Sequence, residues 1–459
     1  MALPKTLAAG LLAGLSIALS AQNYVLSPTG DDRASGIHGS PWATLARASK
    51  SLRPGDQLML EDGTYAGPLT IRPPAMDFPG RRPPIRVFAH HPGKAVVTAP
   101  PGGPAVRVSQ ARNVELAGLV LDGAGHGAWF DIRDTSGLLL SHLLLTAPGP
   151  MPARWERVNS AVVLDCVFSG GGGAGTAWQC RNTGLVLWER CRFEESGRPL
   201  LELAGECQRN TFRSCGFFAS ETPVLGAPSA VRQLSFIQCA WRDGARPPEM
   251  LWDMPDVLFR RCCFDAGGFP AYDRIRACAV HNTAMQAVPA GTPGPRCLNN
   301  LFYSDAKAMF RPGKTELPRL RRESPAVDAG SVRLTAVTRD VAASQTLPVA
   351  DAGFFLGRGA TRREPGDMIW IGETRRPARV LAVDPVRKIL ELDRTVDAEA
   401  GAAVVFPYHG AAPDLGAYEI GMDVFGRDVP GVPHKAGANS FRTEWRFAPG
   451  VFTEPSPPQ

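Results

Sequence analysis

The chain has 459 residues, of which 44% are hydrophobic and 20% are charged, with a formal net charge of +6 at pH 7. An apolar fraction near that of globular proteins and a small net charge exclude a disordered chain. The 48 Gly and 42 Pro residues interrupt regular helices, so the composition also excludes a mainly helical protein. The positive charge permits an acidic partner without identifying one.

The first 21 residues have the pattern of a secretory signal peptide. Lys5 precedes an apolar run over residues 7–19, and the small residues Ser20 and Ala21 follow it. The run is too short to span a membrane, and no later segment reaches the roughly 18 to 20 apolar residues that a bilayer requires. We therefore expect a secreted protein, extracellular or periplasmic, whose mature chain begins near residue 22.

Five cysteines recur through the middle of the chain at intervals of 23 to 25 residues. Each is followed two positions later by an aromatic residue, and four of the five follow a short apolar stretch. These cysteines are Cys166, Cys191, Cys215, Cys239 and Cys262. Such a period, with short apolar runs between Gly, Pro, Asn and Asp residues, predicts an all-β solenoid in which one repeat forms one coil.

In this solenoid the repeated cysteines form an internal column. Neighbouring thiols in the column point in parallel directions, which is the wrong geometry for a disulfide, so we expect buried free thiols that pack as small apolar side chains. The other five cysteines lie off the column and can include a bridge. They are Cys180, Cys207, Cys263, Cys278 and Cys297.

Motifs at both ends of the repeat region resemble a known family. At the N-terminal end they are residues 24–31, 40–45, 54–56 and 62–65, and near the C-terminal end residues 324–330 and 413–419. They are similar to the cap and the terminal rungs of secreted right-handed parallel β-helix proteins of the pectate lyase-like superfamily. The resemblance implies this fold from about Asn23 to Glu419, and the motifs themselves contain no catalytic residue.

The predicted organisation has four parts. A signal peptide (residues 1–21) precedes a parallel β-helix with an N-terminal helical cap (22–330), a small antiparallel β module (331–412), and a terminal rung with a C-terminal tail (413–459). Trp42, Leu45, Ala48 and Leu52 fit one face of a short helix that closes the solenoid. The module is either a barrel that assists binding or a structural insertion.

A candidate site follows from the strand upstream of each repeated cysteine. Its alternating apolar residues are expected to face inward, and the residues between them outward. The predicted outward column is Arg107, Asp131, Glu156, Gln179, Glu202, Gly226 and Asp253. In it, Asp131 and Glu156 are one coil apart, roughly 5 Å, and Glu156 and Glu202 two coils apart, roughly 10 Å. The carboxylates of Asp131, Glu156 and Glu202 suit a Ca²⁺ site or the acid and base of a glycosidase.

Arginines lie beside this column. In a lyase, a base removes the proton next to a uronic carboxylate while a metal or an arginine neutralises that carboxylate. The candidate catalytic residues are Asp131, Glu156, Glu202, Arg133 and Arg181, and the candidate substrate-binding residues are Arg107, Arg154, Arg157, Gln179 and Trp129. Trp129 is exposed in this alignment, where it can stack on a sugar ring, or is buried. Alternatively, the alternating charges only solvate an exposed strand, and a one-residue slip would reverse the faces.

The sequence therefore predicts a secreted carbohydrate-active β-helix protein. It would bind an acidic, uronic-acid-containing polysaccharide and, as an enzyme, cleave it by β-elimination or hydrolysis. The alternative is a non-catalytic extracellular surface or matrix scaffold. Nucleic-acid binding is disfavoured by export and by the lack of a clustered basic segment. His126, His142 and His281 are weaker candidates for a base.

Overall fold

The computed structural model describes most of the chain between residues 21 and 408. The described residues are 21–73, 83–150, 152–169, 176–194, 200–218, 230–242, 245, 247, 251, 254, 257–264, 279–281, 284–285, 297–298, 300–302, 324, 326, 329, 333–358, 366–373, 375–384 and 386–408. The predicted signal peptide (apart from Ala21), Cys278, and the motif at 413–419 with the tail lie outside them. In the described part of the chain, no helix is long and apolar enough to cross a membrane.

One short helix and a long series of strands make up the described structure. The helix is α1 (Leu45–Ser51). The solenoid strands are β1 (Asn23–Leu26), β2 (Gln57–Leu60), β3 (Gly63–Ala66), β4 (Leu69–Ile71), β5 (Ile85–Ala89), β6 (Ala95–Thr98), β7 (Pro104–Ser109), β8 (Arg112–Ala117), β9 (Val120–Asp122), β10 (Ala128–Ser141), β11 (Leu144–Thr146), β12 (Ala153–Leu164), β13 (Val167–Ser169), β14 (Trp178–Arg181), β15 (Gly184–Glu189), β16 (Arg192–Glu194), β17 (Leu201–Ala204), β18 (Glu206–Arg213), β19 (Gly216–Phe218), β20 (Ala230–Ile237), β21 (Ala240–Arg242), β22 (Val257–Arg260), β23 (Cys263–Phe264), β24 (Ala279–His281), β25 (Ala284–Met285), β26 (Cys297–Leu298) and β27 (Leu301–Phe302). The module strands are β28 (Thr335–Ala336), β29 (Val341–Pro348), β30 (Met368–Ile371), β31 (Arg376–Asp384), β32 (Ile389–Ala398) and β33 (Ala403–Val405).

The solenoid has three sides of parallel strands. The first side consists of β4 and β7, the N-terminal parts of β10 and β12, and the whole of β14 and β17. The second side runs from β1 and β2 through β8 and the C-terminal parts of β10 and β12, and then from β15 to β26. The third side runs from β3 to β27. Each strand pairs with its equivalent one coil away, so that Ile132 lies between Val108 and Trp155. The predicted all-β parallel solenoid with a helical cap and an antiparallel module is confirmed.

Each coil bends at residues in the left-handed conformation. Between the second and third sides these are Gly118, His142, Asp165, Arg190, Ser214, Gln238 and Arg261, with φ from 51° to 69°. One such residue between two extended segments redirects the chain without a longer loop. The repeated cysteines directly follow the last five of these corners, which explains why their side chains form one column.

The cysteine column is buried and free of disulfides, as the sequence predicts. All five thiols are fully buried, and Cys180, Cys207 and Cys263 are also free and buried. Each repeated thiol lies near the backbone carbonyl oxygen two residues earlier, for example Cys166 Sγ at 3.3 Å from Leu164 O. Burial raises the pKa of these thiols, so they stay protonated and act as weak donors to the corner carbonyls.

The aromatic residues that follow the cysteines also form a column. The rings of Phe168, Phe193, Phe217, Trp241 and Phe264 stack from coil to coil with centroids 4.7 to 5.0 Å apart. This distance matches the spacing of hydrogen-bonded strands. The side chains of the core therefore repeat from coil to coil with the same spacing as the backbone strands. The inward residues predicted on the first side, including Val106, Phe130 and Trp155, are buried in this core.

The N-terminal end is closed by helix α1. Thr44 is its N-cap and accepts a hydrogen bond from Arg47 N. The Asp32 carboxylate accepts from Ala43 N, Thr44 N and Thr44 Oγ1, which fixes the approach to the helix. The predicted cap residues Trp42, Leu45, Ala48 and Leu52 are all buried.

The module is a barrel-like antiparallel sheet. Its strand order is β28, β33, β30, β31, β32, β29, and a Val337 to Val349 bridge brings the two outer strands together. It docks on the second side through Arg260, which forms an ion pair with Asp367 at 2.9 Å and lies over the Phe406 ring at 4.1 Å. Arg260 is only 5% exposed, so this contact holds the module in place through a buried charge pair.

Candidate functional site

The candidate site is the outer surface of the first side, which we call the arginine face. It comprises Arg107, Asp131, Arg133, Arg154, Glu156, Gln179, Arg181 and Glu202. Each of these side chains is exposed or half-buried, and each alternates with a buried inward residue such as Ile132 or Trp155. The sequence placed five of the eight in the outward column, Arg107, Asp131, Glu156, Gln179 and Glu202, and these five do face outward. Arg133, Arg154 and Arg181, expected on flanking strand ends or turns, lie on the same strands and also face outward.

The strand register corrects the predicted single column. Asp131 pairs with Arg154, not with Glu156, and Glu156 pairs with Arg133. The face consequently has two rows of cross-strand neighbours. The first row is Arg107, Asp131, Arg154, Gln179 and Glu202, and the second row, beside it, is Ser109, Arg133, Glu156, Arg181 and Ala204. The alignment was two residues out at this coil because backbone pairing, not a constant repeat length, sets the register.

Positive and negative side chains alternate on this face. Each of four successive coils carries one of these arginines, and they alternate between the rows: Arg107, Arg133, Arg154, Arg181. The carboxylates of Asp131 and Glu156 occupy positions between them. Cross-strand neighbours of opposite charge attract each other, so this pattern favours the observed register.

The N-terminal part of the face is internally neutralised. Asp131 accepts a hydrogen bond from Arg133 Nε at 2.7 Å and lies 3.8 Å from Arg107 Nε. The bond to Asp131 raises the pKa of Arg133. Both arginines are therefore held by the carboxylate between them.

The next carboxylates are held by Arg157, which lies at a left-handed corner beside the face. Arg157 donates to both oxygens of Asp134, at 2.6 and 3.1 Å, and to Glu156 at 2.7 Å. The hydrogen bond from Arg157 lowers the pKa of Asp134, and the same pair raises the pKa of Arg157. Arg157 is thus bound to two carboxylates, and Asp134 is a partner that sequence reasoning did not include.

The C-terminal part of the face has a different network. Gln179 Nε2 donates to Glu202 Oε2 at 2.9 Å, and Thr176 Oγ1 donates to the same oxygen at 3.1 Å. Thr176 was also missed from the sequence, because it lies before β14 and follows no repeat. Glu202 is therefore bound by neutral donors instead of by an arginine.

Arg154 and Arg181 are the two arginines of the arginine face that take part in none of these networks. Both side chains are exposed, and neither forms a hydrogen bond or ion pair with any residue that the structure describes. They flank Gln179: Arg154 is its cross-strand partner, and Arg181 is two residues further along the same strand. Their Cα atoms are about 8 Å apart by strand geometry. Two guanidinium groups that have no partner in the described part of the chain thus lie around the Gln179 amide.

The three carboxylates proposed for Ca²⁺ do not converge. Asp131 and Glu202 are three coils apart in one row, about 14 Å, and Glu156 is in the other row. Within the described ranges, no three His, Cys, Asp or Glu side chains form a group that could hold a metal ion. These three carboxylates therefore do not form one site, and calcium binding by the protein stays a prediction. Gly226 and Asp253 lie outside the described residues.

Trp129 is not exposed, contrary to the alignment. Its side chain is fully buried, and its indole Nε1 donates to Thr146 O at 2.9 Å. The residue lies at the start of β10, where the chain leaves a turn, and the indole reaches across to the third side of the solenoid. Strand alternation therefore does not apply there, and Trp129 is not available to a sugar ring.

The histidines are placed away from the two rows. His126 Nε2 lies 3.2 Å from Ala99 O in a loop, and His142 Nε2 lies 3.5 Å from Asp165 at a corner of the second side. His281 ends β24 on the second side. The structure does not bring any of the three onto the arginine face.

Comparisons with known proteins find only distant structural similarity. No family model matches the chain, and no curated protein is similar to it in sequence. Solved structures similar to it include a rhamnogalacturonan lyase (12% identity, TM-score 0.43, 66% of this chain and 96% of that one) and the pectate lyase Pel9A (12%, 0.46, 87% and 96%). The pectin methylesterase PemA from Erwinia chrysanthemi is also similar (13% identity, TM-score 0.32, 48% of this chain and 79% of that one). The fold assignment rests on the strand pairing of the chain itself.

Proposed function

We propose that this is an exported β-helix protein that binds an acidic, uronic-acid-containing polysaccharide along the arginine face. The observation that carries the proposal is the pair Arg154 and Arg181, exposed and without a partner among the described residues, on a face whose other arginines are ion-paired. An arginine on a folded surface without a carboxylate partner is available to an anionic ligand. The sequence motifs that resemble secreted β-helix proteins support the same proposal.

Guanidinium chemistry favours carboxylate as the bound group. The planar guanidinium presents paired N–H donors that match the two oxygens of a carboxylate. The five coils from Arg107 to Glu202 extend over about 19 Å along the solenoid axis, which is longer than a single sugar. A linear polymer with repeated carboxylates fits this face better than a small acid does.

Binding requires no further chemistry, whereas cleavage also requires a base. Asp131, Glu156 and Glu202 each already accept a hydrogen bond from a neighbouring side chain. We therefore propose binding as the function, with elimination at this face as an additional outcome of the test. In that case one of these carboxylates, or Arg133 or Arg181, would act in proton transfer at the substrate.

The test is a titration of the mature protein with polygalacturonate and alginate at low salt, with a neutral glucan as the control polymer. We expect binding to both polyuronates only, weakening as salt screens the charges. Arg154→Met and Arg181→Met should each weaken binding about tenfold, as expected for the loss of a hydrogen bond to a charged group. Arg112→Met is the matched control, because Arg112 is exposed on a different surface, at the start of β8.

Three results would decide between the functions. Absorbance from unsaturated sugar ends would show elimination in addition to binding. Failure to bind any polyuronate at low salt would contradict the proposal and favour the scaffold alternative. Equal losses in the Arg112 and Arg154 variants would show that binding depends on total charge and not on this face. Export is tested separately, by N-terminal sequencing of the protein after expression with its leader, where cleavage near residue 22 is expected.

A further inference from the structure

Gln179 lies between Arg154 and Arg181, the two arginines that have no partner among the residues that the structure describes. Arg154 is opposite it on the neighbouring strand, about 4.8 Å away in Cα position, and Arg181 follows it by two residues on β14. Any anion bound by both guanidinium groups therefore lies over or beside the Gln179 amide. The properties of that amide decide what else the ligand must carry.

The Glu202 network fixes the orientation of the amide. Gln179 Nε2 donates to Glu202 Oε2, which also accepts from Thr176 Oγ1. The flipped amide would place its oxygen against a carboxylate oxygen, and neither atom could donate. The Gln179 Oε1 atom therefore points away from Glu202, and it accepts no hydrogen bond from a residue that the structure describes.

The geometry points to Gln179 Oε1 as an acceptor for a ligand hydroxyl, with Glu202 as the positioning residue that holds the amide in this orientation. This inference rests on the proposed function and narrows it. Two arginines select the carboxylate, and an acceptor between them selects a hydroxyl donor close to it. The preferred ligands are polyuronates with free hydroxyls, and polymers with the same carboxylates but acylated hydroxyls bind less well.

The test of this role of Gln179 is the selectivity of the protein between a polyuronate with free hydroxyls and one with acylated hydroxyls. Affinities are measured for polygalacturonate and for the same polymer with its hydroxyls acetylated, and their ratio is compared between variants. We expect the wild type to prefer the free polymer by about three- to tenfold, the range for one neutral hydrogen bond. Gln179→Met should remove the preference, because a thioether offers only a weak acceptor.

Two Glu202 variants separate positioning from charge. Glu202→Met removes the acceptor, so the Gln179 amide can flip and the preference should fall. Glu202→Gln loses the same charge but can still accept from Gln179 Nε2, so it should retain the preference. If both variants change the ratio equally, Glu202 acts only through its charge and the positioning role is overturned. Glu206→Met is the matched control, because this exposed glutamate lies off the face on β18.

The outcomes distinguish this inference from the proposed function. If the wild type binds neither polymer, the proposed function itself fails. If the wild type binds both, and Arg154→Met weakens both, the proposed function stands. In that case a preference unchanged in Gln179→Met would overturn the role of Gln179 as the hydroxyl acceptor.

Discussion

The outer surfaces of the first and second sides of the solenoid differ in how far their outward side chains are exposed to solvent. β10 and β12 run through both the first and the second side of the solenoid. On the first side their outward residues form the charged, solvent-accessible arginine face. On the second side the outward residues Val162, Leu164 and Leu187 are buried, at 3%, 3% and 0% exposure, and we call this surface the covered face.

The difference shows that facing outward from a coil is not the same as facing solvent. Alternation along a strand separates the core from the outer surface, but a second layer can cover that surface. Further along the second side Arg260 is in contact with the barrel. On the arginine face Arg107 and Arg133 pair with Asp131, whereas Arg154 and Arg181 have no partner among the residues that the structure describes. The arginine face is therefore the side of these strands that remains open to a ligand.

The largest expected effect is at the contact between the barrel and Arg260 on the second side of the solenoid. Asp367→Asn leaves the buried Arg260 without its carboxylate, and we expect a loss of about 3 kcal/mol or more in the free energy of unfolding. Urea denaturation measures this. Asp384→Asn is the control, because Asp384 lies in an exposed hairpin, and it should change stability by about 0.5 kcal/mol or less. Equal effects would mean that the buried pair does not hold the barrel.

The next prediction compares one outward residue from each surface. Leu187→Ala removes a fully buried side chain from the covered face and should cost about 2 to 5 kcal/mol. Arg154→Ala on the arginine face should change stability by about 0.5 kcal/mol or less. The measurement is thermal or urea unfolding of both variants. A small effect of Leu187→Ala would show that the second side is not covered in solution.

A smaller difference is expected between the coupling free energies of two similar ion pairs at coil corners. Arg190 binds both oxygens of Asp165 beside the covered face, with side chains 21% and 25% exposed, whereas Arg157 and Asp134 beside the arginine face are 53% and 44% exposed. Burial lowers the pKa of Arg190, but the hydrogen bond to Asp165 outweighs it and the pKa is raised. A double-mutant cycle should give about 1.5 kcal/mol for Asp165 and Arg190, and a clearly smaller value for the exposed pair. The opposite order would contradict the comparison.

The last prediction concerns the core that both surfaces share. Burial raises the pKa of Cys191 above its ordinary value of 9.0, so the folded protein keeps a proton that the unfolded chain loses at alkaline pH. The stabilising effect is fully present below about pH 9 and declines as pH rises above it, by about 1.4 kcal/mol per pH unit for each thiol. Unfolding free energies measured between pH 8 and 10 should decline less steeply in Cys191→Ala. Identical slopes would mean that this thiol is not protected in the folded state.

Much of the fold could be predicted from local sequence features. The cysteine period located successive coils, because each cysteine follows a left-handed corner and is buried beside it. The apolar alternation in β10 and β12 correctly separated the inward Ile132 and Trp155 from the outward Asp131 and Glu156. The candidate site was predicted in composition but not in arrangement, since Glu156 lies in the second row. Trp129 was misplaced because it precedes the regular part of its strand.

The sequence by itself determined the solenoid, its inward residues and the charged character of one outer surface, because these depend on residues near each other in the chain. Only the tertiary structure decided which arginines are neutralised, which outer surface is covered and how Gln179 is oriented. Those features depend on pairs such as Arg154 with Gln179, Gln179 with Glu202 and Arg260 with Asp367, which are 23 to 107 residues apart. Backbone register and docking between distant segments bring such pairs together, and no local pattern encodes them.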